Sequence, residues 1–235
     1  MENLEQRAFS ESPKIINASE SHMALVFLLD TSGSMGPNDQ EGSPINELNA
    51  GLNRFKTEVC KDKQTRDILD VAIIEFNSTH SVVQDFVPVE YMETVDLGTA
   101  GTTVMSSAIE AALDMVDERS RFYRRSGSTP YKPWVLMITD GEPDSDDDIT
   151  AVTKRIKDME QASKVSFRSL GVEGYNPQVL HTLCDKKVMK LMGTDFTSFF
   201  DWVNKSMRSV SQSSPAEKPK AENLTGNVVV DTDWD

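Results

Sequence analysis

Residues 28–37 read Leu-Leu-Asp-Thr-Ser-Gly-Ser-Met-Gly-Pro. An apolar run ends on a carboxylate, Asp30, and hydroxyls follow at alternate positions, Ser32 and Ser34. Two later segments carry matching chemistry. "GTAGTTVMSSAI" (98–109) is a Gly/Thr loop that offers Thr103, and "WVLMITDGEPD" (134–144) ends an apolar run on Asp140. The five side chains bring only oxygen, with no Cys or His placed among them. Such a set suits a hard divalent cation, Mg²⁺ or Mn²⁺, and argues against zinc. Gly33 and Gly36 relieve the tight turn that would let Asp30, Ser32 and Ser34 face one ion.

Distant segments share a site only if the fold brings them together. "MALVFLLD" (23–30) is a continuous apolar run, as a strand covered on both faces would be, and "LDVAIIEF" (69–76) and "WVLMITD" (134–140) read as two further buried strands. "SVVQDFVPV" (81–89) is a weaker strand, and Pro88 points to a sheet edge. "KVSFRSLG" and "KKVMKLM" (186–192) complete the expected strands. Between them apolar residues recur at steps of three and four, the period of amphipathic helices. Ile45, Leu48, Leu52, Phe55 and Val59 make one; Met105, Ile109, Leu113 and Val116 a second. Ile149, Val152, Ile156 and Met159 make a third, residues 177–184 a short fourth, and Phe199, Val203, Met207 and Val210 the last. Alternating strands and helices predict an α/β fold: a doubly wound, mostly parallel central sheet with helices on both faces and one antiparallel edge strand. Ligands of such sheets bind beyond the carboxyl ends of the strands, where the winding reverses. Asp30 and Asp140 meet there if their strands are neighbours.

Composition bounds the rest. The chain has 235 residues, 38 % of them apolar, enough for one sizeable domain. Residues 1–22 are polar and patternless and predict a flexible leader without the apolar stretch of a signal peptide, so a cytoplasmic protein is expected. No apolar run is long enough to span a membrane. Residues 211–235 read as a disordered acidic tail, although "VVV" near its end could dock. A net charge of −14 disfavours nucleic acid and anionic membrane as partners. Cys60 and Cys184 fall at apolar helix positions and predict two buried thiols. Asp144, Asp146, Asp147 and Asp148 could form a second cation site, but acids there also favour the following helix through its dipole. His80 and His181 lack a Ser or Cys partner in any motif, and Trp134 suits the core.

The motifs "DTSGSM", "GTTVMSSAI" and "TDGEP" resemble the von Willebrand factor A domain and its metal-ion-dependent adhesion site, over about residues 23–210. That site is written Asp-x-Ser-x-Ser, a distant Thr and a distant Asp. Asp30, Ser32, Ser34 and Asp140 match it, and alignment from Ala108-Ile109 selects Thr103 over Thr102. The resemblance implies a non-enzymatic protein-interaction module in which the partner supplies an Asp or Glu to the metal. Together with "KPWVLMITDGEPDSD" and "FFDWVNKSMRSVSQSS", the Thr loop looks closest to bacterial TerY-like proteins. These imply a cytoplasmic scaffold in a tellurite-resistance or stress-response complex, beside a kinase, a phosphatase or other tellurite-resistance proteins. The rival is a Mg²⁺-dependent phosphohydrolase using Asp30, since "DTSGS" superficially resembles haloacid-dehalogenase phosphatases. Those want a second Asp where this chain has Ser32, and no Gly-Lys-Ser/Thr phosphate loop is present.

Overall fold

The computed structural model describes residues 20–37, 43–185, 188–216 and 221–231. Seven strands form one sheet: β1 Met23–Asp30, β2 Leu69–Phe76, β3 His80–Pro88, β4 Trp134–Thr139, β5 Ser166–Gly171, β6 Val188–Leu191 and β7 Val228–Val230. Their order is β3-β2-β1-β4-β5-β6-β7. The five inner strands run parallel, and β3 and β7 close the two edges antiparallel. The expected fold class holds, with a second antiparallel strand in addition to the one expected. Six helices complete it: α1 Pro44–Val59, α2 Lys63–Ile68, α3 Ser106–Arg125, α4 Thr150–Gln161, α5 Pro177–Cys184 and α6 Thr197–Ser211.

The apolar runs are explained by burial on both faces. Along β1, Leu25, Phe27 and Leu29 point into one core with Leu48, Leu52 and Phe55 of α1 and Phe199, Phe200 and Val203 of α6. Ala24, Val26 and Leu28 point into the other, with Ala108, Ile109 and Leu113 of α3 and Ile156 of α4. A strand wedged between two helical layers has no polar face, so its sequence shows no alternation. Removing each of Leu48, Leu52 and Phe55 from water is worth about 1.5–3 kcal/mol, which holds α1 against the sheet. Helix α2 escaped the sequence reading because six residues cannot display a period. Its signal is local: the Asp62 carboxylate accepts the Thr65 N–H at 2.9 Å and caps the first turn.

Both chain ends depart from expectation. The leader reading covers residues 1–22, of which 1–19 lie outside the described residues, but packing already begins at Glu20. Ser128 Oγ donates to the Glu20 carbonyl at 2.5 Å, and the His22 ring stacks on Tyr123 at 5.4 Å. The tail reading is corrected by β7, which pairs Val228 with Leu191 and Val230 with Met189. Upstream of β7, Trp202 Nε1 donates to the Glu222 carbonyl at 2.7 Å. Beyond it, the Asp231 carboxylate accepts Tyr175 OH at 2.8 Å and faces His181 Nε2 at 3.1 Å. Residues 217–220 and 232–235 lie outside the described residues. Cys184 is buried as expected, whereas Cys60 is only half-buried; neither forms a disulfide. No helix among the described residues is long and apolar enough to cross a membrane.

Candidate metal centre

The winding reverses between β1 and β4, which are adjacent and parallel with Leu29 beside Ile138. Asp30 and Asp140 therefore emerge at the same end of neighbouring strands. Ser32 donates its backbone N–H to Asp30 Oδ1 at 2.8 Å. That bond folds the chain back into a single 3-10 turn, Gly33–Met35, pinned by the fully buried Met35. Ser32 Oγ and Ser34 Oγ then lie 3.1 Å apart, and Ser34 Oγ donates to Asp140 Oδ1 at 2.8 Å.

Backbone bonds staple the three loops together. Ala100 N–H donates to the Thr31 carbonyl at 2.9 Å, Gly33 N–H to the Gly101 carbonyl at 3.2 Å, and Asp144 N–H to the Thr103 carbonyl at 2.8 Å. Of the two adjacent threonines, Thr102 is exposed and turned to Ser78 Oγ at 3.1 Å. Thr103 is only 6 % exposed, and its hydroxyl makes no hydrogen bond among the described residues. Gly141 opens the space before it. A Cβ there would sit 3.1 Å from Thr103 Oγ1 and 3.5 Å from Asp30 Oδ2. Thr103 and Asp30 thus meet at one small gap, and Ser32, Ser34 and Asp140 are linked to one another beside Asp30.

Gly36 does relieve the tight turn, since a Cβ there would lie 3.0 Å from the Gly33 carbonyl oxygen, but neither Gly33 nor Gly36 carries the strain of a positive φ. That burden falls on Gly101, at φ +73°, where a Cβ would also meet Ser78 Oγ at 2.4 Å. Sequence reasoning also missed Thr139, quoted in "ITDG" but given no role. Its buried hydroxyl donates to Asp30 Oδ2 at 2.5 Å and accepts the Gly141 N–H at 3.1 Å. The acidic run after Asp140 is spent on capping. Asp147 accepts the N–H groups of Met105 and Ser106 together with the Ser106 hydroxyl, at the start of α3 rather than of α4. Asp148 accepts Thr150 N–H at 2.9 Å at the start of α4.

Electrostatically the site lacks positive charge. Asp30 is fully buried and Asp140 is 7 % exposed, and neither has a cationic partner among the described residues. Burial raises the Asp30 carboxyl above its ordinary value against the hydrogen bonds from Ser32 and Thr139. Burial, with the neighbouring Asp30 charge, raises Asp140 to about 6 despite the Ser34 hydrogen bond. No group of three or more His, Cys, Asp and Glu gathers among the described residues, so any ion at this site depends on the hydroxyls.

Comparison with known proteins agrees with this fold. The profile of the von Willebrand factor type A domain matches residues 24–204. No curated protein sequence matches the chain. Among solved structures it is similar to proximal thread matrix protein 1 from the mussel byssus, at 16 % identity and TM-score 0.52, covering 91 % of this chain and 49 % of that one. It spans about half the length of the mussel protein. It is also similar to a von Willebrand factor type A protein from Catenulispora acidiphila, at 17 % identity and TM-score 0.57, covering 80 % of this chain and 43 % of that one. The vWF domain of the type V pili tip protein Mfa5 from Porphyromonas gingivalis matches at 9 % identity and TM-score 0.60, covering 83 % of this chain and 97 % of that one. With its doubly wound sheet and the profile match over most of its length, this chain belongs to the von Willebrand factor type A domain family.

Proposed function

We propose that Asp30, Ser32, Ser34, Thr103 and Asp140 hold a divalent cation, Mg²⁺ or Mn²⁺, and that the protein is a metal-dependent protein-interaction module. The observation that carries this reading is the Thr103 hydroxyl, without a hydrogen bond among the described residues, meeting the buried Asp30 carboxylate at the gap of Gly141, with the buried Asp140 one residue before that glycine. A small cation accounts for all three. The mussel protein has been solved with a zinc-occupied metal-ion-dependent adhesion site motif. Here an all-oxygen set favours a harder ion. The bound ion supplies a Lewis-acidic position that attracts a partner's Asp or Glu. The chain's own residues fix where that carboxylate lands.

The phosphohydrolase reading is disfavoured by Asp30 itself. Its side chain is fully buried, with one oxygen accepting Ser32 N–H and the other the Thr139 hydroxyl, so it is not presented to solvent as an attacking group. A cytoplasmic setting in a tellurite-resistance or stress-response complex, beside a kinase or phosphatase, rests on the TerY-like sequence resemblance alone.

Calorimetric titration with Mg²⁺ and Mn²⁺ tests the metal, and pull-down from native lysate split between Mg²⁺ and EDTA tests the function. Binding of either ion at up to millimolar concentration, lost in Asp30→Ala, supports the reading. Absence of binding, or the same partners recovered with and without chelator, overturns it.

A further inference from the structure

Among the described residues, the charged side chains in the loops at the carboxyl end of the sheet are all acidic. Segments 31–37, 77–80, 97–106, 140–149, 172–176 and 192–196 contain no Lys or Arg. The first turns of α1, α3, α4, α5 and α6, which begin at this end, contain none either. Glu142, Asp146, Asp148, Glu173 and Asp195 are exposed here, and Asp144 is half-buried. At the opposite end of the strands, Lys61, Lys132 and Lys164 occupy the loops and Lys63 and Arg66 lie in α2. These acids do not form a further ion site, since Asp148 and Asp195 cap α4 and α6 and Glu142 accepts Asn176 Nδ2 at 2.8 Å. Two of them adjoin the gap at Gly141 that Thr103 and Asp30 line: Glu142 follows that glycine directly, and Asp144 Oδ1 accepts the Thr103 N–H at 3.3 Å. The loop of Glu173 touches it directly, a Cβ on Gly174 lying 3.4 Å from the Asp140 carbonyl oxygen.

We infer that this face recognises a protein surface in which one Asp or Glu is ringed by Lys or Arg. The inference rests on the metal reading above and names its partner chemistry. A divalent ion offsets Asp30 and Asp140 but leaves the acidic rim in place. A lone carboxylate approaching the ion is repelled by that rim over roughly 8 Å, the screening length at physiological salt. A basic ring turns the same field into steering, which raises association rates by about tenfold or more at low salt.

The test uses the full chain and three short synthetic peptides carrying a fluorophore. One has a central Asp flanked by lysines, one the same Asp flanked by Ser and Gly, and one the lysine flanks around Asn. Anisotropy is read in Mg²⁺ and in EDTA, at low and physiological salt. The lysine-flanked Asp peptide is expected to bind at least tenfold tighter than the Ser/Gly-flanked one at low salt, the gap narrowing with salt. A triple reversal at the rim, Glu142→Lys, Asp146→Lys and Glu173→Lys, should remove that advantage. Reversing three exposed acids elsewhere, Glu90→Lys, Glu93→Lys and Glu118→Lys, changes net charge equally and should preserve most of it. Equal binding of the two Asp peptides, or equal loss in both triple variants, overturns the basic-ring proposal. Failure of the metal reading looks different: the Asn peptide then binds as well as its Asp counterpart, and EDTA changes nothing.

Discussion

Thr139 Oγ1 donates a 2.5 Å hydrogen bond to Asp30 Oδ2 while accepting the Gly141 N–H at 3.1 Å. One buried hydroxyl thus fixes the orientation of a carboxylate on β1 and the loop that follows β4. Groups that orient ligands are typically worth 10–100-fold in metal affinity. Thr139→Val, nearly isosteric, is expected to weaken Mg²⁺ binding by about that factor while leaving the circular dichroism spectrum unchanged. Calorimetry on the variant measures it.

The two threonines of the Gly/Thr loop should behave differently. Thr103→Val removes the free hydroxyl beside Asp30 and should weaken metal binding, whereas Thr102→Val removes only the exposed contact to Ser78. Gly141→Ala should act like Thr103→Val, because its methyl would sit 3.1 Å from Thr103 Oγ1. Equal effects at Thr102 and Thr103 would place the wrong residue in the site.

Acid should release the ion. Asp140 titrates at about 6 rather than 3.8, chiefly through burial, and Asp30 is raised in the same direction. Binding needs the ionised carboxylates, so Mg²⁺ affinity should fall as pH drops through 6. The sign for the metal-free protein is opposite. A carboxyl with a raised folded value favours the fold while protonated, and that advantage is lost as pH climbs from 3.8 to about 6. These two groups therefore make the metal-free chain less stable at pH 7 than at pH 5. Added Mg²⁺ should restore the difference by mass action, as melting curves at both pH values would show.

The C-terminal segment should be part of the stable unit. Removing residues 221–235 strips β7 from β6, uncovers Trp202 Nε1 and leaves His181 and Tyr175 without the Asp231 carboxylate. A loss of about 2–3 kcal/mol is in the usual range for breaking a buried network. At roughly 2–4 °C per kcal/mol for a domain of this size, the melting temperature should drop by about 5–10 °C. An unchanged melting temperature would show that β7 contributes nothing.

The sequence by itself determined the layered α/β class and singled out the five oxygen-bearing residues proposed to hold the ion. Strands buried on both faces are dominated by apolar residues, as β1 and β4 are. A turn that lines up Asp30, Ser32 and Ser34 needs only near neighbours, so its spacing is legible locally. Tertiary structure alone decided the contacts between distant segments. Nothing in "ITDG" says that Thr139 reaches Asp30, because that bond depends on β4 lying beside β1. Nothing in "DSDDD" says that Asp147 caps a helix beginning 41 residues earlier. Val228–Val230 is three residues in a polar stretch, too short to signal a strand, and becomes one only because the outer edge of β6 supplies the hydrogen-bond partners.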